Sequence, residues 1–292
     1  VQSHVSAEWT ESPLHLRVPR YGMVDIAFEV ALDNGEHPFF DSRITAEARG
    51  PDGRSLLVDA FWRGGTRFGL RYSPSTCGRH TLTFAPHTIA THPKLRSFVA
   101  AVDVEVRHSD NPLLRHGPVF VDSNDKIFRH HDGTPIFLLA DSWWFGMSGR
   151  LRYQDEFNLL LDDRRRNGFN ALQFAIGFAC DIAPFDRRDA NEAGFMWERN
   201  FACINPRYFD YADGRIQSIV DHGLVPAIVG MWGYYLPFMG RERAAAHWRY
   251  LVARYGALPV VWTICGESRL PYYEERDPKR NRELFDEQVR GW

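Results

Sequence analysis

The chain has 292 residues, 44% of them apolar and 25% charged, with a net charge of −2. That is ordinary for a globular protein long enough for two domains. The near balance of charge gives no basic field for nucleic acid and no strong acidic field for cations. No apolar run approaches the roughly 18 residues of a membrane span.

Aromatic residues stand out at 14%, with nine Trp. Six of these lie between Trp143 and Trp262. Lysine is confined to Lys94, Lys126 and Lys279, while Arg is abundant and matched by Asp and Glu. Of the four cysteines, Cys77, Cys180, Cys203 and Cys265, none forms a CxxC pair, so zinc and redox motifs are missing. Cys265 sits in an apolar run and reads as a small buried hydrophobe. Cys180 and Cys203 admit either a bridge across one loop or two free thiols. The first residue is Val1 and no signal-peptide pattern opens the chain.

From the N-terminus, six runs alternate apolar and polar residues: "MVDIAFEVAL", "RITAEARG", "SLLVDAFW", "RFGLRYS", "HTLTFA" and "VAAVDVEVRH". Period two means strands with one buried face. Turn signals separate them, namely "DNGEHP", "GPDGRS", "RGGT", "SPSTCG" and "THPK". The spacing predicts an antiparallel, immunoglobulin-like β-sandwich over residues 1–110. Its aromatics Phe39, Phe40, Phe61 and Trp62 read as core or interdomain contacts rather than a site. Residues 111–118 read as a linker.

After the linker the period changes. "TPIFLLAD" predicts a strand and "RYQDEFNLLLDDRRRNG" a helix stopped at Gly168. "FNALQFAIG" is a second strand, followed by a long polar and aromatic segment. "NPRYFDYADGRIQSIVDHG" is a second helix, "LVPAIVGMWG" a third strand and "GRERAAAHWRYLVARYG" a third helix. "LPVVWTICGE" predicts a fourth strand, buried on both faces, before a helical start in "DPKRNRELFDEQVRGW". Strand and helix in alternation is the grammar of a parallel sheet. A (β/α)₈ barrel takes roughly 250 residues. Residues 119–292 therefore predict about four βα units, which form either an unusual half sheet or, the favoured expectation, the N-terminal half of a barrel whose remainder lies beyond the chain.

Parallel α/β folds place their chemistry at the C-terminal strand ends. Strand one ends with Asp141, Trp143 and Trp144, and strand two with Gln173, Phe178 and Asp181. Strand three ends with Trp232, Tyr234 and Tyr235, and strand four at Glu267. Each also has a bland explanation: Asp141 as a helix cap, the Trp pair as core, Glu267 as a cap or ion-pair partner. Taken together, acids beside indoles and phenols point to a carbohydrate, whose C–H faces lie on aromatic rings while its hydroxyls bond to Asp and Gln. Cleaving a glycosidic bond needs two carboxyl groups. Glu267, at the end of a buried strand, would have the desolvated setting that keeps an acid protonated. Asp141, Gln173, Asp181 and Glu198 would bond sugar hydroxyls, and Trp143, Trp144, Trp232, Tyr234 and Tyr235 would bound the sugar.

Competing chemistries lack their residues. There is no HxH after strand one, no HExxH, GxSxG, P-loop or GxGxxG, so neither a metal nor a cofactor is expected. His130 and His131 read as a turn before strand one, and on a strand they would point to opposite faces and could not chelate one ion.

The stretches "DGTPIFLLADSWWFGMSGRL", "DDRRRNGFNALQ", "INPRYFDYADGRIQSIVDHGLVPAIVGMWGYYLPFMG" and "HWRYLVARYGALPVVWTICGE" resemble the apiosidase-like glycoside hydrolases of the family 140 type. "ITAEARGPDGRSLLVDAFWRGG" and the run to "HTLTF" resemble the β-sandwich that often precedes that barrel. The resemblance implies a (β/α)₈ barrel and a retaining mechanism, with the acid/base at the end of strand four, which is Glu267 here. Apiosidase-type members usually carry Asp after Gly-Gly there; this chain has Cys265-Gly266-Glu267. The family's nucleophile lies on a later strand. The expectation is thus a glycoside hydrolase acting on an oligo- or polysaccharide, exported by analogy to the periplasm or medium. Oligomeric state is left open. The other expectation is a non-catalytic carbohydrate-binding protein using the same aromatics, in which Glu267 would be dispensable.

Overall fold

The computed structural model describes residues 3–11, 13–32, 35–272 and 275–292. Of the sequence-derived turns, the Asp33–Asn34 part of "DNGEHP" lies outside them. The chain divides into two compact units, Val1–Ile136 with Tyr250–Pro259, and Phe137–Arg249 with Val260–Trp292.

The first unit holds two main sheets. One contains β1 (His4–Glu8), β3 (Met23–Glu29), β6 (Phe61–Gly64) and β7 (Arg67–Tyr72), in the order β1-β3-β7-β6. The other contains β2 (Leu14–Pro19), β4 (Thr45–Arg49), β5 (Ser55–Asp59), β8 (Gly78–Phe84) and β9 (Ala100–Glu105), in the order β2-β9-β8-β4-β5. Alternation explains the core. Val24, Ile26, Phe28, Phe68 and Leu70 of the first sheet pack in one cluster with Ala46, Ala48, Leu82, Phe84 and Val102 of the second. The six predicted strands form, but the sheets are not wholly antiparallel. β1 pairs parallel with β3, and β2 parallel with β9. Both of these N-terminal strands alternate, in "HVSAE" and "LHLRV", but neither is among the six runs read from the sequence.

A short helix, α1 (Pro86–Thr91), follows β8, and Thr88 Oγ1 accepts the Thr45 N–H at 2.9 Å. The expected linker is ordered as α2 (Pro112–His116), capped by the Asn111 side chain on the Leu113 N–H, with Leu113 and Leu114 buried. A three-stranded antiparallel sheet then forms from β10 (Val119–Asp122), β11 (Ile127–His130) and β12 (Pro135–Ile136). The stretch "TPIFLLAD", read as one strand, is split. Its first part pairs in this sheet as β12, and its last part opens the parallel sheet of the second unit.

That sheet consists of β13 (Ala140–Ser142), β14 (Ala171–Ala175), β15 (Val225–Val229) and β16 (Val261–Thr263), in sequence order and all parallel. Its connections carry α3 (Asp155–Arg166), α4 (Pro206–Asp221), the short α5 (Leu236–Met239) and α6 (Arg241–Tyr255); α7 (Pro278–Gly291) follows β16. Asn205 and Asp277 cap α4 and α7, and Gly168 beyond α3 is left-handed at φ 83°. The cap and stop signals work because each satisfies an N–H or carbonyl that the helix leaves unpaired.

Register assigns the two faces of this sheet. Leu172, Phe174 and Ile228 share one face with Trp262, whose ring meets Trp248 of α6 edge-on at 5.8 Å. This is the helix-covered face. The opposite face carries Ser142, Gln173, Ala227 and Val261. Its middle row is less enclosed, with Ser142 exposed and the other three intermediate, while Ala171, Ala175, Val225 and Val229 on the same face are buried. The fourth strand is therefore not buried on both faces as its composition predicts. All of β16 is intermediate, and Ile264 just beyond it is 65% exposed. Among the described residues no helix is long and apolar enough to cross a membrane.

Candidate functional site

Glu267 follows β16 and is exposed, with a left-handed backbone at φ 49°. The pairing of β15 with β16 continues past both strands: Gly266 N–H donates to the Met231 carbonyl at 3.0 Å, and Gly233 N–H to the Gly266 carbonyl at 2.7 Å. This brings Trp232 beside Glu267. The Trp232 indole N–H donates to Glu267 Oε2 at 2.7 Å. Position 266 must be glycine, since a Cβ there would lie 2.5 Å from the Trp232 ring. Trp144 stands edge-on to Trp232, its ring 5.1 Å away at 78°. The ends of strands one, three and four thus supply an indole, an indole and a carboxylate to one place. Glu267 is not desolvated in the way that a doubly buried strand would impose.

Asp181 belongs to the same neighbourhood. It is exposed and left-handed at φ 59°. The Cys180 thiol is pushed up to about 11, first by burial, then by Asp181, with a further contribution from Glu267. The strand-two and strand-four acids therefore act on one thiol. Phe178, Asp181 and Glu267 are all non-glycine residues with positive φ at strand ends, the kind of strain that marks functional segments. Gln173 lies on the less enclosed face, where its Oε1 accepts from Ser142 Oγ at 3.3 Å.

The other expected residues are placed elsewhere. Asp141 pairs with Leu172 in register, so it belongs to the helix-covered face. Arg164 Nε of α3 donates to its Oδ2 at 2.5 Å, and the Trp143 indole N–H donates to the same oxygen at 2.8 Å. Burial works against its ionisation, but Arg164, the Trp143 indole and the Ser142 N–H outweigh it and hold the carboxyl below the usual range. Trp143 packs edge-on to Phe157 of α3. Asp141 and Trp143 therefore tie strand one to its helix rather than facing a sugar. Tyr234 and Tyr235 are each 1% exposed. Both hydroxyls donate to the Ala179 and Ile182 carbonyls, at 2.9–3.2 Å. Their faces are covered, so they anchor the strand-two loop from behind and offer no platform. Glu198 is exposed in a hook where its N–H donates to the Cys203 carbonyl at 2.8 Å. All four cysteines are free, so the Cys180–Cys203 bridge is not formed. Among the described residues no group of three or more His, Cys, Asp or Glu is placed to hold a metal.

Three participants escape the sequence reading. Ser142 and Arg164 would have needed the strand parity to be known. Asp189, in the polar segment after strand two, is pushed up to about 7 by burial, which no local pattern announces.

The fold is thus a mixed α/β one, with acids and indoles gathered at the ends of its parallel strands. Residues 122–291, more than half of the chain, match the family described as apiosidase-like, catalytic domain, and the chain belongs to that family. Residues 17–85 match a domain of unknown function, DUF5060. No curated protein matches the chain. Among solved structures, one described as "a putative glycoside hydrolase" from Bacteroides vulgatus is 18% identical with a TM-score of 0.66. The match covers 94% of this chain and 54% of that one, so the chain spans about half the length of that relative. A glycoside hydrolase family 5 protein from Bacteroides vulgatus is 22% identical over 63% of this chain and 39% of its own, with a TM-score of 0.46.

Proposed function

We propose that the chain carries the acid/base side of a glycoside hydrolase site, acting on an oligo- or polysaccharide with retention. The carrying observation is the Trp232 indole bonded to Glu267 Oε2 at 2.7 Å, with Trp144 edge-on at 5.1 Å. An exposed carboxylate against indole rings suits a sugar: the rings take its C–H face and the acid reaches the glycosidic oxygen. Glu267 donates a proton to the leaving oxygen, then takes one from the attacking water. Trp144 and Trp232 bound the sugar, while Asp181 and Gln173 bond its hydroxyls. The nucleophile is a carboxylate on a strand beyond β16.

In this reading the parallel sheet is the first half of a (β/α)₈ barrel, and the two sheets of the first unit form a β-sandwich. The support is the sequence-ordered parallel pairing and a sheet face left half open, flanked by exposed Ile264 and Phe137. Polymeric glycans lie outside the cell, so the protein would be secreted or periplasmic.

The test is a screen of aryl glycosides and plant and microbial oligosaccharides with the whole enzyme that contains this chain, followed by Glu267→Gln. Hydrolysis lost with poor leaving groups and partly kept with activated aryl glycosides supports the reading. Sugar binding without hydrolysis, with affinity unchanged in Glu267→Ala by titration calorimetry, would replace it with a carbohydrate-binding protein.

A further inference from the structure

We infer that Gln288 and Trp292, at the end of α7, are positioning residues that hold Glu267 and Trp232 in the arrangement the site requires; the inference rests on the reading of Glu267 as the site acid. The buried side chains of α7 are Leu284 and Gln288. Four residues apart, they share one helix face, and Trp292 follows them one turn further on. Gln288 is 1% exposed, and a buried amide is stable only where it has hydrogen-bond partners. Its Nε2 donates to the Ser268 carbonyl at 2.8 Å and, more weakly, to the Glu267 carbonyl at 3.3 Å. The Trp292 indole N–H donates to the Gly233 carbonyl at 3.1 Å. The Trp292 backbone N–H donates to the Gln288 carbonyl at 3.1 Å, so the two residues are tied to each other.

These bonds fall on both flanks of the Trp232–Glu267 pair. Glu267 is a non-glycine residue in the left-handed region, which is strained and persists only when its surroundings hold it. That backbone sets the direction of the side chain, whose Oε2 meets the Trp232 indole N–H. The Leu270 N–H closes the turn locally, donating to the Glu267 carbonyl at 3.1 Å. Gln288 supplies the tie from outside the turn. On the other flank, Gly233 follows Trp232 directly. Its N–H donates to the Gly266 carbonyl, and its carbonyl takes the Trp292 indole. The approach is close: a Cβ at Gly233 would lie 2.9 Å from Gln288 Nε2 and 3.0 Å from the Glu267 carbonyl oxygen. The end of α7 thus holds the backbone just after Trp232 and at the strained turn of Glu267. Without those donors the turn relaxes and the carboxylate leaves the indole.

The experiment reads the Trp232 indole N–H in ¹H–¹⁵N spectra of the full chain, assigned with Trp232→Phe. Glu267→Ala removes the acceptor and shows where the signal lies when that bond is gone. Gln288→Met keeps a side chain of similar volume without its donors, and should move the signal toward that position. Trp292→Phe, a change at an exposed residue, should move it the same way. In the Glu267→Ala background neither substitution should move the signal further, since the bond they loosen is already lost. Glu287→Gln, on the exposed side of α7, should leave it in place.

A signal that ignores Gln288→Met, or that moves equally with and without the Glu267 side chain, overturns the inference. Should Gln288→Met fail to fold, Trp292→Phe read in both backgrounds decides alone. No activity is read, so a failed hydrolase assignment leaves this result standing, and an unmoved signal leaves the hydrolase assignment untouched.

Discussion

Trp232 lies flat against the α-carbon of Gly266 while its indole N–H holds the carboxylate of the next residue, Glu267, at 2.7 Å. The close approach and the hydrogen bond depend on each other. A methyl group at 266 would sit 2.5 Å from the ring, so Gly266→Ala must push the indole away. Overpacking of this kind costs about 1–3 kcal/mol. The expected outcome is a lowered urea midpoint together with a displaced Trp232 indole resonance. An unmoved resonance would mean that the ring tolerates a Cβ beneath it.

In the first unit, Asp25 is nearly buried between two arginines. Arg71 Nε donates to its Oδ2 at 2.9 Å, and Arg63 pairs with its other oxygen. Arg71 is itself 5% exposed and also donates to the Arg254 carbonyl at 2.8 Å. Asp25→Ala leaves a buried guanidinium without its counter-charge, which costs about 3–5 kcal/mol. Equilibrium unfolding in urea checks this. Asp25→Asn should recover part of the loss through hydrogen bonding alone.

His247 of α6 is fully buried, with Nε2 2.9 Å from the Gly230 carbonyl and Nδ1 3.4 Å from the Trp197 indole nitrogen. Nε2–H therefore donates, and Nδ1 accepts from the indole. Burial lowers its pKa from 6.5 to about 4. Between these values the unfolded chain binds a proton that the folded chain does not, so stability falls as pH drops from about 6.5 to about 4 and levels off below. The size is about 3 kcal/mol. Urea midpoints measured across that range should slope in the wild type, and His247→Gln should flatten this part of the slope.

Burial pushes the Cys180 and Cys203 thiols up to about 11, with neighbouring carboxylates adding to it. Both are therefore poor nucleophiles at neutral pH. Cys77 is exposed. A maleimide or aromatic disulfide should label Cys77 quickly, while Cys180 and Cys203 react only on unfolding. Fast native labelling of Cys180 would show that the strand-two loop opens readily.

The βα units were legible because α4 and α7 begin with the caps Asn205 and Asp277, α3, α4 and α6 end near Gly168, Gly223 and Gly256, and each strand is an apolar run. Strand parity was not. Asp141 and Gln173 both read as polar residues at strand ends, yet pairing in register sets Asp141 toward α3 and Gln173 toward the more open face. A one-residue difference in register exchanges the faces, and nothing in "LLADSWW" specifies it. Tyr234 and Tyr235 were misread for a different reason. A phenol beside a strand end suits a sugar or a buried carbonyl equally well, and only the loop at Ala179 and Ile182 decides. β1 and β2 do alternate, in "HVSAE" and "LHLRV", but their partners are β3 and β9 in parallel pairing, which no local pattern announces. Trp144, Trp232 and Glu267 each follow a parallel strand directly, and Trp232 meets both of the others.

Glu267 as the proton donor is best tested by the ratio of kcat/KM between an unactivated oligosaccharide and an activated aryl glycoside, in the wild type and in Glu267→Gln, with the whole enzyme. Losing the acid should cost about 10²–10⁴-fold on the unactivated substrate and far less on the aryl glycoside, whose leaving group needs little protonation. Equal losses on both substrates, or no loss on either, would contradict the assignment of that carboxylate as the acid.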